Sequence, residues 1–154
     1  MNPWFSNPAR IAALREAARG WIGTPFMPNM AARGRGASCQ KFAAALLRDA
    51  GFPIGEVPDA PMSQARFSRE SLVQPWMDAC PLFCRIPDPR NGPLGIGDIA
   101  GFKLGGCIHH LGVVFGPDEF IHCLDPIGVQ VSRLSDPTWR RRLAAAWRPI
   151  EMTP

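Results

Sequence analysis

A change of texture at Gly97 limits what this chain can fold into more than any other feature. Before it, apolar residues recur at helical spacing: Ile11, Leu14, Ala18 and Trp21, then Phe42, Ala43, Leu46 and Leu47. After it come short runs with strand character at 99–103, 109–115, 119–123, 129–134 and 144–150. Gly105-Gly106 and Gly116-Pro-Asp118 supply turns between them. Consecutive short strands joined by short turns pair antiparallel. Helices first and strands after form the α+β pattern. The expectation is N-terminal helices packed on a five-stranded antiparallel sheet, with a short helix at 137–143.

Local signals bound the helices. Asn7 and Pro8 suit an N-cap followed by a first helical position, and Gly20 with Gly23-Thr-Pro25 ends that segment. Residues 24–37 read as an irregular connection. A second helix spans about 39–50, with Ser38 as N-cap, Gly51 just past its end and Pro53 beyond. Residues 53–96 are punctuated by proline throughout. Within them Leu72, Trp76 and Ala79 mark a helix over 68–79, which Pro75 kinks or divides.

With 154 residues, nearly half of them apolar, the chain suits one domain, 1–154, with a real core. Seventeen Pro and fifteen Gly imply many turns. The net charge of +4 comes almost wholly from arginine, since Lys41 and Lys103 are the only lysines. Its densest run, Arg140-Arg-Arg142, reads as the solvated face of a helix, not a nucleic-acid surface. No segment has the length and apolarity of a membrane span, and the first residues lack the pattern of a signal peptide. The expected place is the cytoplasm, or outside it by a route that needs no signal. Five cysteines, an odd number, favour free thiols over a disulfide framework. Cys80, Cys84, Cys107 and His109 lack the paired spacing of a zinc site, and no glycine-rich segment has the Lys-Ser/Thr ending of a phosphate loop. Neither metal nor cofactor is expected.

The residues with chemistry are Cys39 and the three histidines, His109, His110 and His122. A thiol nucleophile needs a base, and the base needs an orienting partner. A cysteine opening a helix gains from the dipole, which favours thiolate, and its own N–H faces a developing oxyanion. Strand alternation puts His109 and His110 on opposite faces. His110 and His122 share a face if the hairpin at Gly116-Pro-Asp118 has an odd loop or a bulge; an even loop instead pairs His109 with His122.

Three stretches resemble the NlpC-type papain-like cysteine peptidases of bacterial cell walls. Trp21-Ile-Gly-Thr-Pro-Phe26, followed by a Gly-rich loop and Cys39, is similar to the segment before that family's nucleophile. Gly97-Asp98-Ile99 is similar to the Gly-Asp-Leu that opens its first core strand. His110-Leu-Gly-Val-Val114 followed by Phe120-Ile-His122 is similar to its His-Val-Gly-Ile and Phe-Ile-His strands. The resemblance covers about 10–51 and 95–125. It implies a papain-like fold, with Cys39 as nucleophile, His110 as base and His122 as orienter, cutting an amide bond in peptidoglycan stem peptides.

Some residues depart from the family. Ser38-Cys39-Gln40-Lys41 stands where Asp-Cys-Ser-Gly is usual, and those Asp and Ser help to hold the stem peptide's free amine. Phe26 replaces a usual tyrosine, so the oxyanion needs another donor, for which Asn29 is a candidate. The altered flanks also suit a non-catalytic phage-tail or envelope module, or an acyltransferase or amidase acting on a non-wall substrate.

Overall fold

The structure is a computed structural model and describes residues 1–60 and 71–152. Helix α1 (Pro8–Trp21) is capped by Asn7, whose Oδ1 accepts from the Arg10 N–H at 3.0 Å. Helix α2 (Cys39–Asp49) closes through two backbone bonds: Gly51 N–H reaches the Arg48 carbonyl, and Phe52 N–H reaches the Leu47 carbonyl. Gly51 sits at φ +91°, a conformation that a side chain would strain. Trp21 ties the two helices together. Its ring meets Phe42 edge-on at 5.4 Å, and its Nε1 donates to Asp49 at 2.8 Å.

The connection between α1 and α2 is less irregular than expected, since β1 (Ala31–Ala32) and β2 (Gly36–Ala37) pair antiparallel within it. Helix α3 (Val73–Ala79) starts later than the helix expected over 68–79: Ser71 and Leu72 precede it as non-helical residues, and residues 68–70 lie outside the described residues. Ser71 Oγ accepts from the Gln74 N–H at 3.1 Å at its start. Pro75 therefore falls in the first turn, where its missing N–H has no helical partner, and it neither kinks nor divides the helix.

The main sheet has six strands where five were expected: β3 (Phe83–Arg85), β4 (Ile99–Leu104), β5 (Cys107–Gly116), β6 (Glu119–Leu124), β7 (Gly128–Arg133) and β8 (Leu143–Pro149). Their order is β3-β8-β4-β5-β6-β7, antiparallel at every pairing. The added strand, β3, is three residues long. A segment that short carries no readable alternation, and its strand state comes from pairing with β8. β8 does not continue the meander after β7; it returns to lie beside β4, which leaves β4 and β5 in the interior of the sheet.

The sheet carries a core on each face. Leu14, Ala18, Phe42 and Leu46 of α1 and α2 pack with Leu111, Val113, Ile121 and Trp147. On the opposite face Phe102, Val114, Phe120 and Leu143 gather under Trp139 of α4 (Pro137–Arg142). That short helix leaves Arg140, Arg141 and Arg142 exposed. The start of β4 is held by Asp98, which is fully buried and accepts from Arg148 of β8 at 2.8 and 2.7 Å and from the Gly95 N–H at 2.6 Å. Among the described residues no helix is long and apolar enough to cross a membrane.

Candidate active site

Two β-bulges in β5 decide where its functional groups go. At the β6 side Val114 pairs with Phe120, but Gly116 pairs with Glu119, so Phe115 is the extra residue. The turn itself has two residues, Pro117 and Asp118. Without the bulge, this even loop would have set His122 opposite Val113, on the face of α1 and α2. The bulge sets it opposite Gly112, on the face that carries His110. On the β4 side Phe102 pairs with His110 and Lys103 with Ile108, which makes His109 a second extra residue. Simple alternation through 109–110 therefore fails: Ile108 joins the same core as Leu111 and Val113.

The carbonyls of both bulged residues are taken up by the helices. Arg15 of α1 donates its Nε–H to the Phe115 carbonyl at 3.0 Å. The Cys39 thiol, at the first position of α2, donates to the His109 carbonyl at 3.2 Å. A bulge leaves its extra residue out of the ladder, so that carbonyl needs a partner from elsewhere.

His110 and His122 form a bonded pair, with His110 Nε2 2.7 Å from His122 Nδ1. The far nitrogen of His122, Nε2, lies 2.8 Å from Ser132 Oγ on β7. Aromatic rings enclose the pair. Trp139 stacks on His110 at 5.4 Å and meets His122 edge-on at 4.9 Å, while Phe120 lies 4.6 Å from His122 and Phe102 lies 5.9 Å from His110. Gly112 makes room for this arrangement, because a Cβ there would fall 2.5 Å from the Phe120 ring.

Cys39 and His110 line the same pocket, a cavity of about 400 Å³ whose other walls include Phe26, Asn29, Ser38, Gln40, His109 and Asp125. Among the described residues no hydrogen bond joins the thiol to His110. The sulfur faces two oxygens instead, the His109 carbonyl and Gln40 Oε1 at 3.4 Å. His109 turns its ring nitrogen Nε2 to Cys107 Sγ at 3.0 Å. All five cysteines are free thiols.

Electrostatics keep every member neutral at rest. Burial pushes the Cys39 thiol up to about 11, against the opposing pull of the Leu111, Gln40 and Cys39 N–H groups. The helix N-terminus was expected to favour thiolate; here desolvation outweighs it. Burial lowers His110 to about 3, helped by the neighbouring His122 and by the charge of Arg142. Burial also lowers His122 to about 4.

Two residues beside the nucleophile differ in detail from what was expected. Ser38 holds the N-cap position of α2, but its hydroxyl makes no capping bond and is buried without a partner. Asn29 lines the pocket, but its amide is engaged with Ala60: Nδ2 donates to the Ala60 carbonyl at 3.2 Å, and Oδ1 accepts the Ala60 N–H at 2.8 Å. The sequence reading also missed Ser132, Trp139 and the Gln40 side chain. Ser132 was within reach of parity reasoning, since it stands ten residues after His122 across one further hairpin. Trp139 was not, because no local pattern says that α4 folds back over β5 and β6.

No family model matches the chain. A curated relative, the murein DD-endopeptidase MepS/murein LD-carboxypeptidase of Escherichia coli (strain K12), is 33% identical over 57 residues, 37% of this chain and 30% of the relative. The chain thus matches less than a third of that protein's length. Solved structures are similar over nearly all of this chain. An NlpC/P60 family protein from Bacillus cereus ATCC 10987 superposes with a TM-score of 0.61 at 19% identity, over 92% of this chain and 40% of that one. An NLP/P60 family protein similar to lipoprotein, from Staphylococcus aureus subsp. aureus Mu50, gives 0.59 at 19% identity, over 98% and 44%. The NlpC/p60 domain of the peptidoglycan hydrolase SagA gives 0.53 at 18% identity, over 92% and 98%. The likeness first read from three short stretches thus extends to the whole architecture: this chain has the fold of the NlpC/P60 family.

Proposed function

We propose that the protein is a cysteine peptidase or amidase that cleaves an amide bond in peptidoglycan stem peptides through Cys39, His110 and His122. The observation that carries this reading is the hydrogen-bonded chain from His110 through His122 to Ser132, ending in the pocket that Cys39 also lines. A buried imidazole held by a second imidazole and a hydroxyl has a defined tautomer, which a general base needs. The NlpC/P60 fold, and the identity with a murein endopeptidase over the matched stretch, support the choice of substrate class.

The hydrogen-bond chain suggests the proton path. Ser132 Oγ accepts from His122 Nε2–H, and His122 Nδ1 accepts from His110 Nε2–H. His110 Nδ1 then carries the lone pair that takes the Cys39 proton. The sulfur attacks the substrate carbonyl carbon, and the C–N bond breaks as His110 returns the proton to the leaving amine. Water, deprotonated by His110, cleaves the thioester and frees the acid and the thiol. Burial raises the thiol and lowers the imidazole, so the neutral pair is favoured in the resting pocket and proton transfer accompanies attack. The N–H groups of Cys39 and Gln40 at the start of α2, which already stabilise negative charge on the sulfur, point to where the oxyanion would form.

Incubation with purified stem peptides, with products identified by mass spectrometry, tests the reading. Cleavage is expected for the wild type and its loss for Cys39→Ala and His110→Gln. Cleavage that survives Cys39→Ala would end it. A second reading, a non-catalytic module of the same fold, draws on the thiol's bond to the His109 carbonyl in place of His110. It expects no cleavage by the wild type.

A further inference from the structure

We infer that Gln40 is a positioning residue that holds the Cys39 thiol protonated at rest, through a chain of hydrogen bonds anchored on Asn29 and the Ala60 backbone. The inference rests on the reading of Cys39 as the nucleophile, and it assigns to Gln40 a role that the fold alone does not.

The argument starts from an amide whose orientation is decided by the backbone. Ala60 offers one N–H and one carbonyl, and Asn29 meets both. Only one orientation of the Asn29 amide satisfies the pair, with Oδ1 on the N–H and Nδ2 on the carbonyl. That oxygen also receives Gln40 Nε2 at 3.1 Å. Gln40 must then present its nitrogen to Asn29, which leaves Oε1 facing the sulfur at 3.4 Å. A reversed Gln40 amide would set two acceptors against each other. The side chain is fully enclosed, so solvent cannot relieve a wrong orientation. An amide oxygen beside sulfur accepts from a thiol and repels a thiolate.

The other groups around the sulfur do not decide its charge in the same way. From β5 come His109, His110 and the His109 carbonyl; from β6 comes Cys123, whose thiol donates to the Ala37 carbonyl at 3.0 Å. Asp125 stands exposed at the pocket rim. On α2 the nearest cation, Lys41, is turned away to the Val57 carbonyl and Asp59, each at 2.8 Å. Backbone N–H groups of Leu111, Gln40 and Cys39 favour thiolate. Against them stand the two oxygens, and Gln40 Oε1 is the one that a substitution can remove. Asn29 and Ala60 line the same pocket, so a substrate that competes for the Asn29 amide would free Gln40 to turn its nitrogen to the sulfur.

Gln40→Met, close in volume and lacking the acceptor, tests this. The rate of Cys39 alkylation by iodoacetamide is followed against pH by peptide-resolved mass spectrometry. The midpoint is expected to fall by about half a pH unit to one unit, which is about a three- to tenfold faster reaction at a fixed pH below it. Gln40→Leu repeats the test if the methionine variant does not fold. An unmoved or raised midpoint in a folded variant overturns the inference while leaving Cys39 as nucleophile. A wild-type Cys39 that does not alkylate at any pH, in a protein that cleaves nothing, overturns the catalytic reading and this inference with it.

Discussion

Acid should unfold this protein through the two histidines at its centre. His110 and His122 are both almost wholly buried, and burial lowers them to about 3 and about 4. In the unfolded chain each returns to about 6.5. Between those limits the unfolded state binds more protons than the folded one, so stability rises with pH and is lost on acidification. Each pH unit is worth about 1.4 kcal/mol per histidine. From neutral pH to about 4.5 the pair then removes about 5 kcal/mol, a large share of the 5–15 kcal/mol that a domain usually has. Trp139, Phe102 and Phe120 enclose the two rings and limit how far solvent can screen the charge. The measurement is urea unfolding at a series of pH values. The free energy should fall by about 2 to 3 kcal/mol per unit between pH 6 and 5, above the range where carboxylates titrate. His122→Gln should roughly halve that slope. A flat profile over this interval, or stability that increases on acidification, would refute the claim that both rings are folded in neutral.

Other changes probe the same construction from different sides. Gly112→Ala sets a methyl 2.5 Å from the Phe120 ring, and should cost about 1–3 kcal/mol by thermal melt and slow any cleavage by disturbing His122. Ser132→Ala removes the bond that orients His122, and should lower kcat about tenfold with little change in KM, measured on a stem peptide. Asp98→Ala leaves Arg148 without its bidentate partner at the root of β4; since Arg148 is partly exposed, the loss should be near the low end for such pairs, about 3 kcal/mol by urea unfolding.

Much of the architecture was legible because it depends on local chemistry. Asn7 and Pro8 start α1 where a capping oxygen and a missing N–H are favoured, and Gly51 ends α2 where a left-handed residue is required. The runs after Gly97 alternate or continue as strands do, and four of the five expected strands follow one another in the sheet. The order of Cys39, His110 and His122 and their flanking residues already resembled a family whose fold the whole chain has. What was misread depends in part on partners remote in sequence. β3 is a strand because β8 lies beside it. Pro75 was misread for a local reason: α3 begins only two residues earlier, so the proline sits in its first turn.

The site itself divides along the same line. By itself the sequence singled out the residues able to carry chemistry, and it determined that Cys39 opens a helix while the histidines lie on neighbouring strands. It also determined the condition on His110 and His122: a bulge or an odd loop. Only the tertiary structure decided that condition, since the cost of leaving Phe115 out of the ladder is offset by Arg15 reaching in from α1, a hundred residues away. The protonation of the site was likewise decided only in three dimensions. A cysteine at a helix N-terminus reads as a thiolate, because the dipole is a property of the helix alone. Burial against β5, and two oxygens brought to the sulfur by a bulge and by a buried amide, make it a neutral thiol.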